Sequence, residues 1–108
     1  MRNKYIQVVT TISSKRGAGK IANALIKGRL AACVQIAGPI KSIYRWKGRV
    51  ETAKEWICIA KAKRTLYKRI EKVIRENHPY DTPEIIAVPI TAGSKDYLKW
   101  IQNSSLLK

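Results

Sequence analysis

The only imidazole of this 108-residue chain is His78, in the stretch His78-Pro79-Tyr80-Asp81-Thr82-Pro83-Glu84. It is the best single ligand candidate: imidazole binds Cu²⁺, Zn²⁺ and Ni²⁺, and Asp81 or Glu84 would add oxygen donors. The same histidine at a helix end could instead hydrogen-bond the last carbonyls of that helix. Pro79 and Pro83 each remove a backbone donor and push the preceding residue toward an extended conformation, so this loop is stiff. Ser13-Ser14-Lys15-Arg16-Gly17-Ala18-Gly19-Lys20 stands where a phosphate-binding loop would. A P-loop, however, needs glycine in place of Ser14 and a hydroxyl in place of Ile21 to hold Mg²⁺. Cys33 and Cys58 read as small buried hydrophobes. No Cys/His spacing supplies the four ligands of a closed zinc site, and a cysteine nucleophile would have only His78 as its base. No enzyme is expected from this inventory.

The elements that must hold that loop follow from periodicity. Tyr5–Ile12 is rich in β-branched residues and reads as a strand. Ser13 or Ser14 can cap a helix whose Ala18, Ile21, Ala22, Leu25 and Ile26 recur at helical spacing, with Gly28 as its stop. Residues 30–36 form a second strand, broken or bent at Gly38-Pro39 and resuming over 40–46. Lys47-Gly48 is a hairpin turn, and residues 50–62 return. Thr65 is expected to cap the most strongly patterned helix, with Leu66, Ile70, Val73 and Ile74 on one stripe and Lys68, Lys72 and Arg75 opposite. Residues 85–90, with prolines at both ends, suit an edge strand. Ser94 opens a short last helix, and the tail from Asn103 is expected to fray.

Strand, helix, strand, strand, helix, strand and a short C-terminal helix make two βαβ halves of one antiparallel sheet. The expected fold is therefore an α+β, ferredoxin-like βαββαβ sandwich with a long central hairpin, as a single domain over residues 1–108. That hairpin carries Ile43, Tyr44, Trp46, Val50 and Trp56, more apolar surface than two helices can cover. It marks either a protein–protein contact or side chains folded back into the chain's own core.

Charge points two ways. Twenty-two Lys+Arg against seven Asp+Glu give a formal net charge of +15. Such an excess attracts polyanions, but the basic residues are spread along the chain with no block of five. A solvated surface is the default, the Lys68, Lys72, Arg75 stripe lacks the aromatics of a single-strand binder, and nucleic acid is not expected as a partner. No membrane span and no apolar signal core occur, and two cysteines do not make a disulfide framework, so a cytoplasmic chain is expected.

Four stretches together resemble the CutA divalent-cation tolerance family: Leu30-Ala31-Ala32-Cys33-Val34, Ser42-Ile43-Tyr44-Arg45-Trp46-Lys47-Gly48, His78-Pro79-Tyr80-Asp81-Thr82-Pro83-Glu84-Ile85 and Tyr97-Leu98-Lys99-Trp100-Ile101. The resemblance implies a non-enzymatic homotrimer, resembling PII-type signalling proteins, with Tyr44, Trp46 and Trp56 at the subunit interface. It implies a weakly held divalent cation such as Cu²⁺, no required cofactor, and His78, Cys33 and Glu84 as metal ligands. It also implies an inter-subunit ligand cleft at Lys61, Tyr80 and Asp81, which in a PII-like alternative would take an anionic metabolite or a partner protein. Some copper-binding members carry a cysteine where this chain has Thr10 and a second histidine where it has Asn77, so those two ligands are missing here.

Overall fold

Alternation along one strand sets the sheet's two faces. In β1 (Tyr5–Ile12), Ile6, Val8, Thr10 and Ile12 are buried and the residues between them are not, the period-2 pattern of a strand packed on one side. The computed structural model describes residues 3–106. After β1 come α1 (Lys15–Lys27), β2 (Cys33–Trp46), β3 (Arg49–Lys63), a 3₁₀ turn at Arg64–Leu66, α2 (Tyr67–Glu76), β4 (Ile85–Pro89) and α3 (Lys95–Asn103). The antiparallel sheet has the order β2-β3-β1-β4, which places β4 at an edge as its flanking prolines require.

The register decides which residues share a face. Ile6 lies opposite Ala62, Val8 opposite Ala60, Thr10 opposite Cys58 and Ile12 opposite Trp56. Against this face α1 presses Ala18, Ile21 and Leu25 and α2 presses Ile70 and Ile74, all at 1% exposure or less. Both helices therefore form one layer on one side of the sheet. The Ser14 hydroxyl caps α1 by accepting from the Gly17 N–H at 2.9 Å.

Two expectations need correction. Thr65 does not cap α2; it lies inside the 3₁₀ turn, and α2 starts from Leu66 without a side-chain cap. Leu66 is fully buried and anchors this junction, so packing has replaced the cap. The tail does not fray at Asn103: the Ser105 hydroxyl donates to the Ile101 carbonyl at 2.9 Å, the Leu106 N–H donates to the Arg29 carbonyl at 2.9 Å, and the Lys63 ammonium donates to the Leu106 carbonyl. The three hairpin aromatics differ in setting: Trp56 is half-buried and packs against the chain's own core, whereas Tyr44 and Trp46 are exposed.

That last difference comes from a bulge. The β2–β3 register shifts between Ala37 and Ile40. Gly38 has φ +153°, and a Cβ on it would lie 2.7 Å from Trp56 Cδ1, so the indole packs directly against a bare glycine. Beyond the bulge, pairing runs from Ile40–Glu55 to Trp46–Arg49, past the last β1 partner at Trp56. The distal hairpin thus overhangs the sheet, and the molecule is elongated at 44 × 28 × 22 Å. Lys47 (φ 50°) and Gly48 (φ 78°) close it in the left-handed turn that matches strand twist.

Candidate functional site

The loop after α2 is tied down before any ligand arrives. The Asn77 amide donates to the Val73 carbonyl at 2.8 Å and closes the helix, a capping role the sequence reading did not assign. His78 then turns back onto the sheet. Its Nδ1 accepts from the Tyr80 backbone N–H at 3.2 Å, so Nε2 carries the proton and donates to the Thr11 carbonyl at 2.8 Å. The Tyr80 ring meets the imidazole edge to face, with centroids 4.6 Å apart. His78 therefore staples this loop to the end of β1, and both of its nitrogens are engaged.

Tyr80 points the other way, into a cleft of about 650 Å³ lined by Thr11, Ser42, Tyr44, Trp46 and Glu55 on the strand side and by Tyr80, Asp81, Thr82 and Glu84 on the loop side. The Tyr80 hydroxyl donates to Glu55 Oε2 at 2.8 Å. Burial first, and then that bond to the Glu55 carboxylate, hold the phenol pKa above its ordinary value. Glu55 is only 7% exposed, and no cation lies within salt-bridge distance of it among the described residues.

Charge is therefore segregated. Three of the seven carboxylates, Glu55, Asp81 and Glu84, line this cleft, and no lysine or arginine does. In a chain of net charge +15 this is a local inversion of sign, and it favours a cationic guest. Sequence reasoning found Tyr80, Asp81 and Glu84 but missed Glu55. Its signal was present: Glu55 directly precedes the apolar run Trp56-Ile57-Cys58-Ile59-Ala60, where a carboxylate is out of place unless it is partnered.

The remaining candidates lie elsewhere. Cys33 sits opposite Lys61, whereas the Thr11 carbonyl that holds His78 belongs to the residue opposite Ile57. Four strand residues separate these positions, about 13 Å along the sheet. The Cys33 thiol instead borders Tyr97, whose pKa is raised first by burial and then by that thiol. Lys61 donates to Gln35 Oε1 at 2.7 Å at the same far end, outside the cleft. Cys58 faces the core, gives its thiol to the Ala18 carbonyl at 3.7 Å, and burial pushes its pKa up to about 11.

The residues present do not fit a copper site built from His78, Cys33 and Glu84 of one chain. His78 has no free nitrogen, Cys33 is remote, and no three His, Cys, Asp or Glu side chains converge on one point among the described residues. The cleft offers carboxylate and phenol oxygens, donors suited to harder divalent cations.

The comparisons with known proteins agree with this architecture. Residues 6–104 match the family model described as CutA1 divalent ion tolerance protein. "Protein CutA, chloroplastic" of Arabidopsis thaliana is 40% identical over 100 residues, covering 93% of this chain and 55% of that protein. "Divalent-cation tolerance protein CutA" of Thermus thermophilus is 38% identical over 98 residues, covering 91% and 95%. The chain thus spans about half the length of its plant relatives and nearly all of the bacterial one. The crystal structure of CutA1 from Oryza sativa superposes with a TM-score of 0.94 at 37% identity, covering 98% of this chain and 97% of that one. With nearly the whole sequence and fold matched, the chain belongs to the CutA1 family of divalent-ion tolerance proteins.

Proposed function

We propose that this chain is a non-enzymatic, cytoplasmic homotrimer that binds divalent cations weakly in the cleft between its overhanging hairpin and the loop of residues 80–84. The observation that carries the reading is the cleft itself: three carboxylates and a phenol, no lining cation, and Tyr44 and Trp46 of the hairpin as one wall. Its oxygens do not converge within one chain, so a neighbouring copy completes the coordination. Assembly is supported by the overhang, where Ile43 and Val50 are each 65% exposed, and by the sheet face opposite the helices, where Ile86 and Val88 stand open. Apolar surface of this extent calls for a partner. Copper would enter only if His78 gave up the Thr11 carbonyl. The PII-like alternative, with an anionic ligand, finds no support here, because Lys61 lies outside the cleft and no cation lines it.

The test is calorimetric titration of Mn²⁺ and Cu²⁺ into wild type, the Glu55→Gln/Glu84→Gln double variant and His78→Ala, with the assembly mass followed by sedimentation. The expected result is a mass three times the 12.2 kDa chain, Mn²⁺ affinity at least about tenfold weaker in the acidic double variant, and His78→Ala unchanged toward Mn²⁺. A double variant that binds as wild type, or a wild type that binds neither metal, sinks the cleft assignment; a monomeric mass sinks the assembly.

A further inference from the structure

The excess charge is not spread evenly once the chain is folded. α1 presents Lys15, Arg16, Lys20 and Lys27 with no acidic residue, and α2 presents Lys68, Arg69, Lys72 and Arg75 with Glu71 and Glu76. All eight cations are exposed, and both helices lie side by side on the same face of the sheet. Eight basic minus two acidic residues is +6 on 23 helical residues, while the other 85 carry fourteen basic and five acidic, or +9. Charge density on the helical layer is therefore more than twice that of the rest. Only Arg75 is paired, to Glu71 at 3.2 Å, among the described residues. A groove beside α1, lined by Arg16, Lys20, Asn23 and Lys27 and bordered by Glu76, Asn77 and His78, carries three cations against one carboxylate and continues the positive surface.

We propose that the outward face of α1 and α2 is a docking surface for the phosphate backbone of a nucleic-acid duplex, bound without regard to sequence. Several features of the layer select this occupant. Exposed cations on two neighbouring helices, all but Arg75 unpaired among the described residues, present a broad positive surface to an array of phosphates, and neutralising those phosphates releases condensed counterions. A single strand would need exposed aromatic rings to stack its bases, and those of this chain lie on the hairpin (Tyr44, Trp46) and on α3 (Tyr97, Trp100), not on this layer. Hold on a lipid surface draws on inserted apolar side chains as well as on charge. The apolar stripes of both helices are turned into the core, with Ile26 the one large hydrophobic substantially exposed on them. The acidic cleft takes no part, so this surface acts independently of the cation reading above.

The test is fluorescence anisotropy of a short random-sequence DNA duplex against the full chain across a salt titration. Three proteins are compared: wild type, a helix variant with Arg16, Lys20, Lys68 and Lys72 each changed to Gln, and a control with Lys41, Lys54, Lys95 and Lys99 each changed to Gln. Both variants remove four exposed charges, and circular dichroism checks that each is folded. Wild type should bind with a steep dependence on log[salt]. The helix variant should lose about 3–4 units of that slope, near 0.9 per phosphate contact removed, while the control keeps most of it. No duplex binding at low salt, equal weakening in helix variant and control, or retention on anionic vesicles without binding to the duplex would each overturn the proposal.

Discussion

Tyr80→Phe removes one oxygen atom and tests the geometry of the cleft. In the wild type the phenol donates to Glu55 Oε2 at 2.8 Å, and Glu55 is 7% exposed with no cation beside it. A hydrogen bond to a charged group contributes about 1.5–3 kcal/mol net, and a buried carboxylate stripped of its donor keeps its desolvation penalty. The ring itself still packs on His78 in the variant, so the change isolates the hydroxyl. The expectation is a loss of about 1.5–3 kcal/mol in guanidinium unfolding at fixed protein concentration. Glu55→Gln in the same background completes a double-mutant cycle, and Glu55→Gln/Tyr80→Phe should be less unstable than the sum of the singles by at least about 1 kcal/mol. A Tyr80→Phe protein within about 0.5 kcal/mol of wild type, together with zero coupling, would show that water already satisfies Glu55 and that the phenol–carboxylate contact is incidental.

Other consequences concern the core and the tail. Burial raises the Cys58 thiol from 9.0 to about 11. The fold thus favours the neutral thiol: this stability is complete below pH 9, where the unfolded thiol is also protonated, and is lost as pH climbs from about 9 through 11. Alkaline unfolding followed by circular dichroism should be shifted upward in pH for Cys58→Ala relative to its own neutral stability, and an unchanged profile would refute the assignment. A thiol reagent at neutral pH should modify Cys33 and leave Cys58 untouched until the chain unfolds. Deleting residues 105–108 removes the Leu106 contacts, among them the acceptor of Lys63, a residue 4% exposed, so stability should fall by about 2–4 kcal/mol in chemical unfolding. A truncated chain as stable as wild type would mean that the docked tail contributes nothing.

Local chemistry wrote most of the architecture plainly. Period-2 burial in β1, the Ser14 cap, the Lys47-Gly48 turn and the proline-flanked edge strand are each decided by a few neighbouring residues, and each is where its sequence places it. The Thr65 cap failed because burial of Leu66 outweighed a local preference, and the fraying tail failed because Arg29 and Lys63 reach it from distant positions. In the same way the loop of residues 78–84 announced its ionisable groups but not their directions. His78 faces the Thr11 carbonyl and Tyr80 faces Glu55 only because the register brings the end of β1 and the part of β3 opposite the β2 bulge beneath them.

What the sequence determined by itself is therefore the list of elements, their order, the sheet topology and the family, since all of these rest on periodicity and on short motifs. Tertiary structure alone decided that Trp56 packs half-buried against the core while Tyr44 and Trp46 are exposed, that Cys33 and Lys61 lie far from His78, and that Glu55 joins Asp81 and Glu84 in one acidic cleft. It also gathered cations scattered along the chain onto one helical layer. The physical reason is common to all of these: such groups are neighbours across the sheet and between helices, at separations in sequence that no local pattern encodes.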